Sequence, residues 1–104
     1  MRFRGLEFEG GNIGRFFIGD RVRYIGKNHG GPIKGCTGKI VLIDPDALRS
    51  IQADTEGEQL YLVEFDKKTG DTYTYYDTRG TARCAKGRGW MCADSMLELE
   101  TKAR

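Results

Sequence analysis

Apolar positions in this chain come in short bursts broken by glycine, and most bursts alternate with polar residues. Val22 and Tyr24 alternate with Arg21, Arg23 and Ile25, the period of two expected of a half-buried strand. The run Gly35-Cys36-Thr37-Gly38-Lys39-Ile40-Val41-Leu42-Ile43 is the strongest strand signal, bounded by glycines on one side and Asp44-Pro45 on the other. Leu60 to Phe65 reads as the next strand. Lys67-Lys68-Thr69-Gly70-Asp71 then reads as a hairpin turn into a strand over 72–76. Arg79-Gly80 marks a second turn, with Thr81 to Cys84 returning, and Ala85 to Gly89 forms a basic loop. Trp90-Met91-Cys92 predicts a short strand, Ala93 to Met96 a single 3₁₀ turn, and Leu97-Glu98-Leu99 a closing strand. Asp44 and Pro45 suit the start of a short helix, with Leu48 and Ile51 three apart on one face.

These elements predict an all-β domain: a small antiparallel barrel of five to six strands, with one short helix in an insert. Closing the sheet removes exposed strand edges. A length of 104 residues suits a single domain over 1–104, with residues 1–15 an N-terminal extension and 44–59 an acidic insert. The expected core is Val22, Tyr24, Ile40, Leu42, Leu62, Val63, Phe65, Trp90, Cys92, Leu97 and Leu99. A hydrophobic share of 38% with 31% charged residues is globular composition. No apolar run approaches the roughly 20 residues that cross a bilayer. Nothing at the N-terminus reads as a signal peptide, so a cytoplasmic protein without membrane contact is expected. Three cysteines, an odd number, argue against a secreted disulfide framework.

Net charge is only +2, but it is segregated along the chain. Residues 1–43 carry eight basic and three acidic side chains. Residues 44–77 carry three and nine, and residues 78–104 carry six and three. Such segregation builds one basic and one acidic face if the fold joins the two basic segments.

Gly19-Asp20-Arg21-Val22-Arg23-Tyr24, a glycine-bearing loop, and Lys34-Gly35-Cys36-Thr37-Gly38-Lys39-Ile40 together resemble the KOW motif of ribosomal proteins and transcription elongation factors. Tyr61 to Phe65 and Gly89 through Leu99 look like the closing strands of small SH3-like proteins of phages and bacteria. The resemblance covers about residues 17–43 and 60–99 and implies a barrel that binds rather than catalyses. The chain departs from the KOW pattern in a longer loop from Lys27 to Lys34 and in the insert after the second strand. Glycines 35 and 38 would allow the sharp strand-to-strand turn.

The leading functional expectation is nucleic-acid binding. Arg21, Arg23, Lys27, Lys34, Lys39, Arg79, Arg83, Lys86 and Arg88 would neutralise phosphates, and Tyr73 and Tyr75, on one face of an alternating strand, would stack on bases. The bland alternative is that the charges only solubilise the surface and the rings face the core. A second expectation is a protein partner, with the barrel face or the acidic insert docking on a host protein. Cys36, Cys84, Cys92 and His29 have the ligand types of tetrahedral zinc. Their spacing fits no common zinc module, so neither metal nor cofactor is expected. The single histidine lies in a glycine-rich loop with no evident carboxylate to orient it, so an enzyme is not expected either.

Overall fold

The computed structural model describes residues 15–43 and 57–100. The predicted helix after Asp44, most of the insert and nearly all of the N-terminal extension lie outside the described residues. Five antiparallel strands follow in chain order: β1 Arg21–Tyr24, β2 Thr37–Ile43, β3 Leu60–Phe65, β4 Gly89–Ala93 and β5 Leu97–Leu99. A 3₁₀ turn, Asp94–Met96, joins the last two. The described chain is thus mostly β.

Spatial order in the sheet is β4-β3-β2-β1-β5. β4 and β5 therefore sit at opposite ends of that order, although only Asp94, Ser95 and Met96 separate them in the chain. The four steps from Ala93 to Leu97 span roughly 14 Å at most, less than the roughly 19 Å across four strand spacings of a flat sheet, so the sheet must curl until its two ends converge. That convergence makes a small barrel.

Tyr24, Val22, Ile40, Tyr61, Val63, Phe65, Cys92 and Leu97 fill its interior, joined by Phe16. Aromatic rings meet edge to face there, Phe16 with Tyr61 at 5.4 Å and Tyr24 with Phe65 at 6.4 Å between centroids. The alternation in β1 is as the sequence predicts, with Val22 and Tyr24 inward and Arg21 and Arg23 outward.

Simple alternation fails in β2. Ile40 opposes Val63, but Leu42 opposes Leu62, so Val41 is an extra residue in the ladder. This bulge shifts the phase of the strand. Ile43, opposite Tyr61, packs against the core, while Leu42 does not belong to it. The other face of β3 is also covered. Leu62 is fully buried, and Gly89 brings the backbone of Tyr73 and the thiol of Cys84 close to it. Residues 73–84 form the covering hairpin, but as single bridges (Tyr73 with Gly89, Tyr76 with Ala82) rather than the continuous strand predicted over 72–76.

The two glycines of the turn act differently. Gly35 has φ +101°, a left-handed conformation that glycine adopts without strain. Gly38 has no such angle. A side chain there would strike the carbonyl oxygen of Glu64 and come within 2.8 Å of the Phe65 Cα, so Gly38 is required by close strand approach. Gly38→Ala should therefore cost about 1–3 kcal/mol through overpacking. Gly35→Ala, with open space around it, should cost roughly 1 kcal/mol from backbone strain alone. Urea denaturation of both variants checks this, and an unchanged midpoint for Gly38→Ala would contradict the close approach of β2 to β3.

Candidate nucleic-acid interface

Of the basic residues singled out by sequence, those on the strands are tied to carboxylates. Arg21 makes a bidentate pair with Asp66 at 2.8 and 2.6 Å, and its Nε donates to Glu100 at 2.8 Å. Asp66 also accepts from the Thr37 hydroxyl at 2.7 Å. The Arg21 guanidinium holds the Asp66 carboxyl down at about 2, well below the usual carboxylate range. Arg23 sits directly opposite Glu98 in the β1–β5 ladder and pairs with it at 3.0 Å. Lys39 lies 3.9 Å from Glu64, and Arg83 lies 3.3 Å from Asp77. These four cations are engaged in ion pairs on the sheet and the covering hairpin.

A different set of cations gathers at one end of the barrel, where three loop segments are stitched by backbone contacts. Asn28 accepts from the Gly30 amide at 2.8 Å, and the Asp71 amide donates to the Gly30 carbonyl at 2.5 Å. Gly70 lies against the carbonyls of Gly30 and Gly31 so closely that no side chain would fit. The Thr72 hydroxyl donates to the Gly87 carbonyl, the Gly87 amide donates to the Thr74 hydroxyl at 3.0 Å, and the Lys68 side chain lies over Gly87. Segments 27–34, 66–71 and 85–88 therefore adjoin. They carry Lys27, Lys34, Lys67, Lys68, Lys86 and Arg88, all exposed. None of the six has a carboxylate within ion-pair distance among the described residues. The acids on these segments are Asp71 and Asp66, the latter already held by Arg21.

Arg79 stands apart on the 77–81 turn, where the Asp77 carboxylate accepts from the backbone amides of Arg79 and Thr81 at 2.9 Å. In the sequence Lys67 and Lys68 stand only as turn residues. The signal available for them is two adjacent lysines in a glycine-bearing turn, Lys67-Lys68-Thr69-Gly70.

The aromatic residues are arranged differently from the expectation. Tyr73 is half-buried and tilted against Trp90, with centroids 6.1 Å apart. Burial pushes its phenol up to about 12. Trp90 is itself half-buried and roofed by Gly31, where a side chain would come within 2.7 Å of the indole. Tyr75 is half-buried as well. Tyr76, not chosen from the sequence as a stacking residue, is the most open of the four, at 59% exposure. An open ring face for stacking is thus presented by Tyr76, while Tyr73 and Trp90 support the loop end from beneath.

Cys84 and Cys92 are buried and Cys36 is half-buried, all as free thiols. Burial raises each thiol above its ordinary value, which disfavours the reactive thiolate. Among the described residues no three metal-ligating side chains converge. No described helix is long and apolar enough to cross a membrane.

No family model, no curated protein and no solved structure matches this chain.

The Arg21–Asp66 pair fixes a sign for acid stability. The Asp66 carboxyl titrates at about 2 in the folded protein against an ordinary 3.8, so its contribution is complete above that ordinary value and disappears as pH falls through about 2. Both side chains are more than two-fifths exposed, so solvent screening limits the contribution to at most ~1 kcal/mol. Chemical denaturation between about pH 5 and pH 2 should show Asp66→Asn losing less stability than the parent. Parallel losses in the two proteins would contradict the pair.

Proposed function

We propose that this protein is a non-enzymatic nucleic-acid-binding module whose contact surface is the loop end of the barrel. The observation that carries this reading is the placement of Lys27, Lys34, Lys67, Lys68, Lys86 and Arg88 on three adjoining segments, none of them in an ion pair among the described residues. Cations without ion-pair partners, carried on adjoining segments, attract a polyanion and release its condensed counterions. Cations already paired with carboxylates have much less to gain from a phosphate. The KOW-like turn adds support, because its loop supplies Lys27 and Lys34. Tyr76 offers a ring face for a base, while Lys and Arg side chains hold the backbone. The surface recognises charge spacing and open π-faces, so weak sequence preference is expected.

Binding to single-stranded and duplex DNA and RNA, measured at two or more salt concentrations, tests the reading. Affinity should fall steeply with salt. In Lys67→Ala/Lys68→Ala, each phosphate left without its lysine should lower the log–log slope by about 0.7 on a single strand, or about 0.9 on a duplex. Lys39→Ala, on the strand beside Glu64, should leave the slope unchanged. Failure to bind any nucleic acid at low salt would overturn the proposal and turn attention to a protein partner. So would a slope that responds to Lys39→Ala and not to the loop pair.

A further inference from the structure

A groove of about 450 Å³ opens between the β1–β2 loop and the 3₁₀ turn. This is within the range of small-molecule sites, about 300–1,000 Å³. One side carries Lys27, His29 and Lys34, and the apolar lining comes from Ile25 and Met96, with Ser95 beside Met96.

The two walls are fixed to each other. The Ile25 amide donates to the Met96 carbonyl at 2.8 Å, the Tyr24 hydroxyl donates to the Lys27 carbonyl at 2.5 Å, and the Gly35 amide donates to the Tyr24 carbonyl at 2.8 Å. Gly26 permits this geometry, since a side chain there would meet the Tyr24 hydroxyl at 2.8 Å and Met96 at 3.0 Å. Burial pushes the Tyr24 phenol up to about 12, so it stays a neutral donor to Lys27 across the physiological range.

The charge of the groove is one-sided. Lys27 and Lys34 have no acidic partner within ion-pair distance among the described residues. The nearby carboxylate of Glu58 is engaged by the turn, accepting from the Ser95 amide at 2.7 Å and from the Ser95 hydroxyl at 2.9 Å. An occupant that satisfies both linings needs an anionic group joined to an apolar, polarisable body. A thioether beside an aromatic ring is a favourable contact, and a nucleotide combines such a ring with a phosphate.

We propose that this groove seats one nucleotide of a bound strand, with its phosphate on Lys27, His29 and Lys34 and its base against Ile25 and Met96. The inference rests on the nucleic-acid reading and adds a specific seat to it.

Methyl and amide NMR of the full chain tests it, with titrations of a single-stranded oligonucleotide of about ten residues, uridine monophosphate, inorganic phosphate and polyglutamate. The oligonucleotide should shift the Ile25 and Met96 methyls together with the His29 ring signals. The mononucleotide should shift the same signals more weakly. Phosphate should move the Lys27, His29 and Lys34 amides and leave the methyls in place. Lys34→Glu, at an exposed position, should weaken the oligonucleotide on the order of tenfold and remove the mononucleotide response.

If the oligonucleotide binds with strong salt dependence but leaves the Ile25 and Met96 methyls unmoved, the seat is wrong while the loop-end reading stands. Equal methyl shifts with polyglutamate would overturn the nucleotide as occupant. No binding of the oligonucleotide at low salt would overturn both.

Discussion

β4 and β5 end the sheet on opposite sides, and Asp94–Met96 is all that joins them. Everything else in the described structure follows from that short link, because it admits no flat sheet. The link is held from several directions. Arg15 donates through Nε to the Asp94 carboxylate at 2.5 Å and through Nη2 to the Asp94 and Leu97 carbonyls at 2.7 Å. Tyr61, from the middle of β3, donates to the same carboxylate at 2.7 Å, and Glu58 holds Ser95. A three-residue 3₁₀ turn has little stability of its own, so these contacts fix its direction. With the turn fixed, β5 reaches β1, and the apolar faces of all five strands enclose one interior.

The same curl separates two kinds of positive charge. Outward positions on β1 and β2 are brought beside acids on, or one residue past, the neighbouring strands, and Arg21, Arg23 and Lys39 are engaged there as ion pairs. Each exposed pair adds little to stability. The effect on the surface is larger, since the strand faces become nearly neutral. The loops at one end carry six basic residues, Lys27, Lys34, Lys67, Lys68, Lys86 and Arg88, against Asp66 and Asp71, although the whole chain carries only +2. Net charge was a poor guide to the surface for this reason. The partner of each arginine is set by sheet register, and register brings Asp66 and Glu98 from far along the chain.

Local patterns made most of the fold legible. Alternation placed Val22 and Tyr24, the glycine-bounded apolar run placed β2, and the Asp94–Met96 turn was visible between two short apolar segments. Phase inside β2 was not legible, because the Val41 bulge is created by pairing with β3 and leaves no mark in the local sequence. Phe16 and Tyr61 escaped the expected core for a related reason: their burial depends on each other and on Asp94, not on a local period. The candidate interface is legible in the sequence as a set of basic residues but not as a division. Among the described residues Lys27, Lys34, Lys86 and Arg88 make no ion pair, Arg21, Arg23, Lys39 and Arg83 do, and the sequence alone contains no signal that separates them. Tyr73, a stacking candidate from the sequence, is half-buried against Trp90, and single bridges stand where a continuous strand is predicted.

Cross-strand nuclear Overhauser effects are the most direct test of the curled sheet. The account requires contacts of Val22 with Leu99 and of Tyr24 with Leu97 on one seam, alongside contacts of Val63 with Trp90 and of Tyr61 with Cys92 on the other. Both sets in one spectrum would place β4 and β5 at the two ends of a single closed arrangement. A spectrum with the Val63–Trp90 and Tyr61–Cys92 contacts but none between residues 22–24 and 97–99 would contradict it.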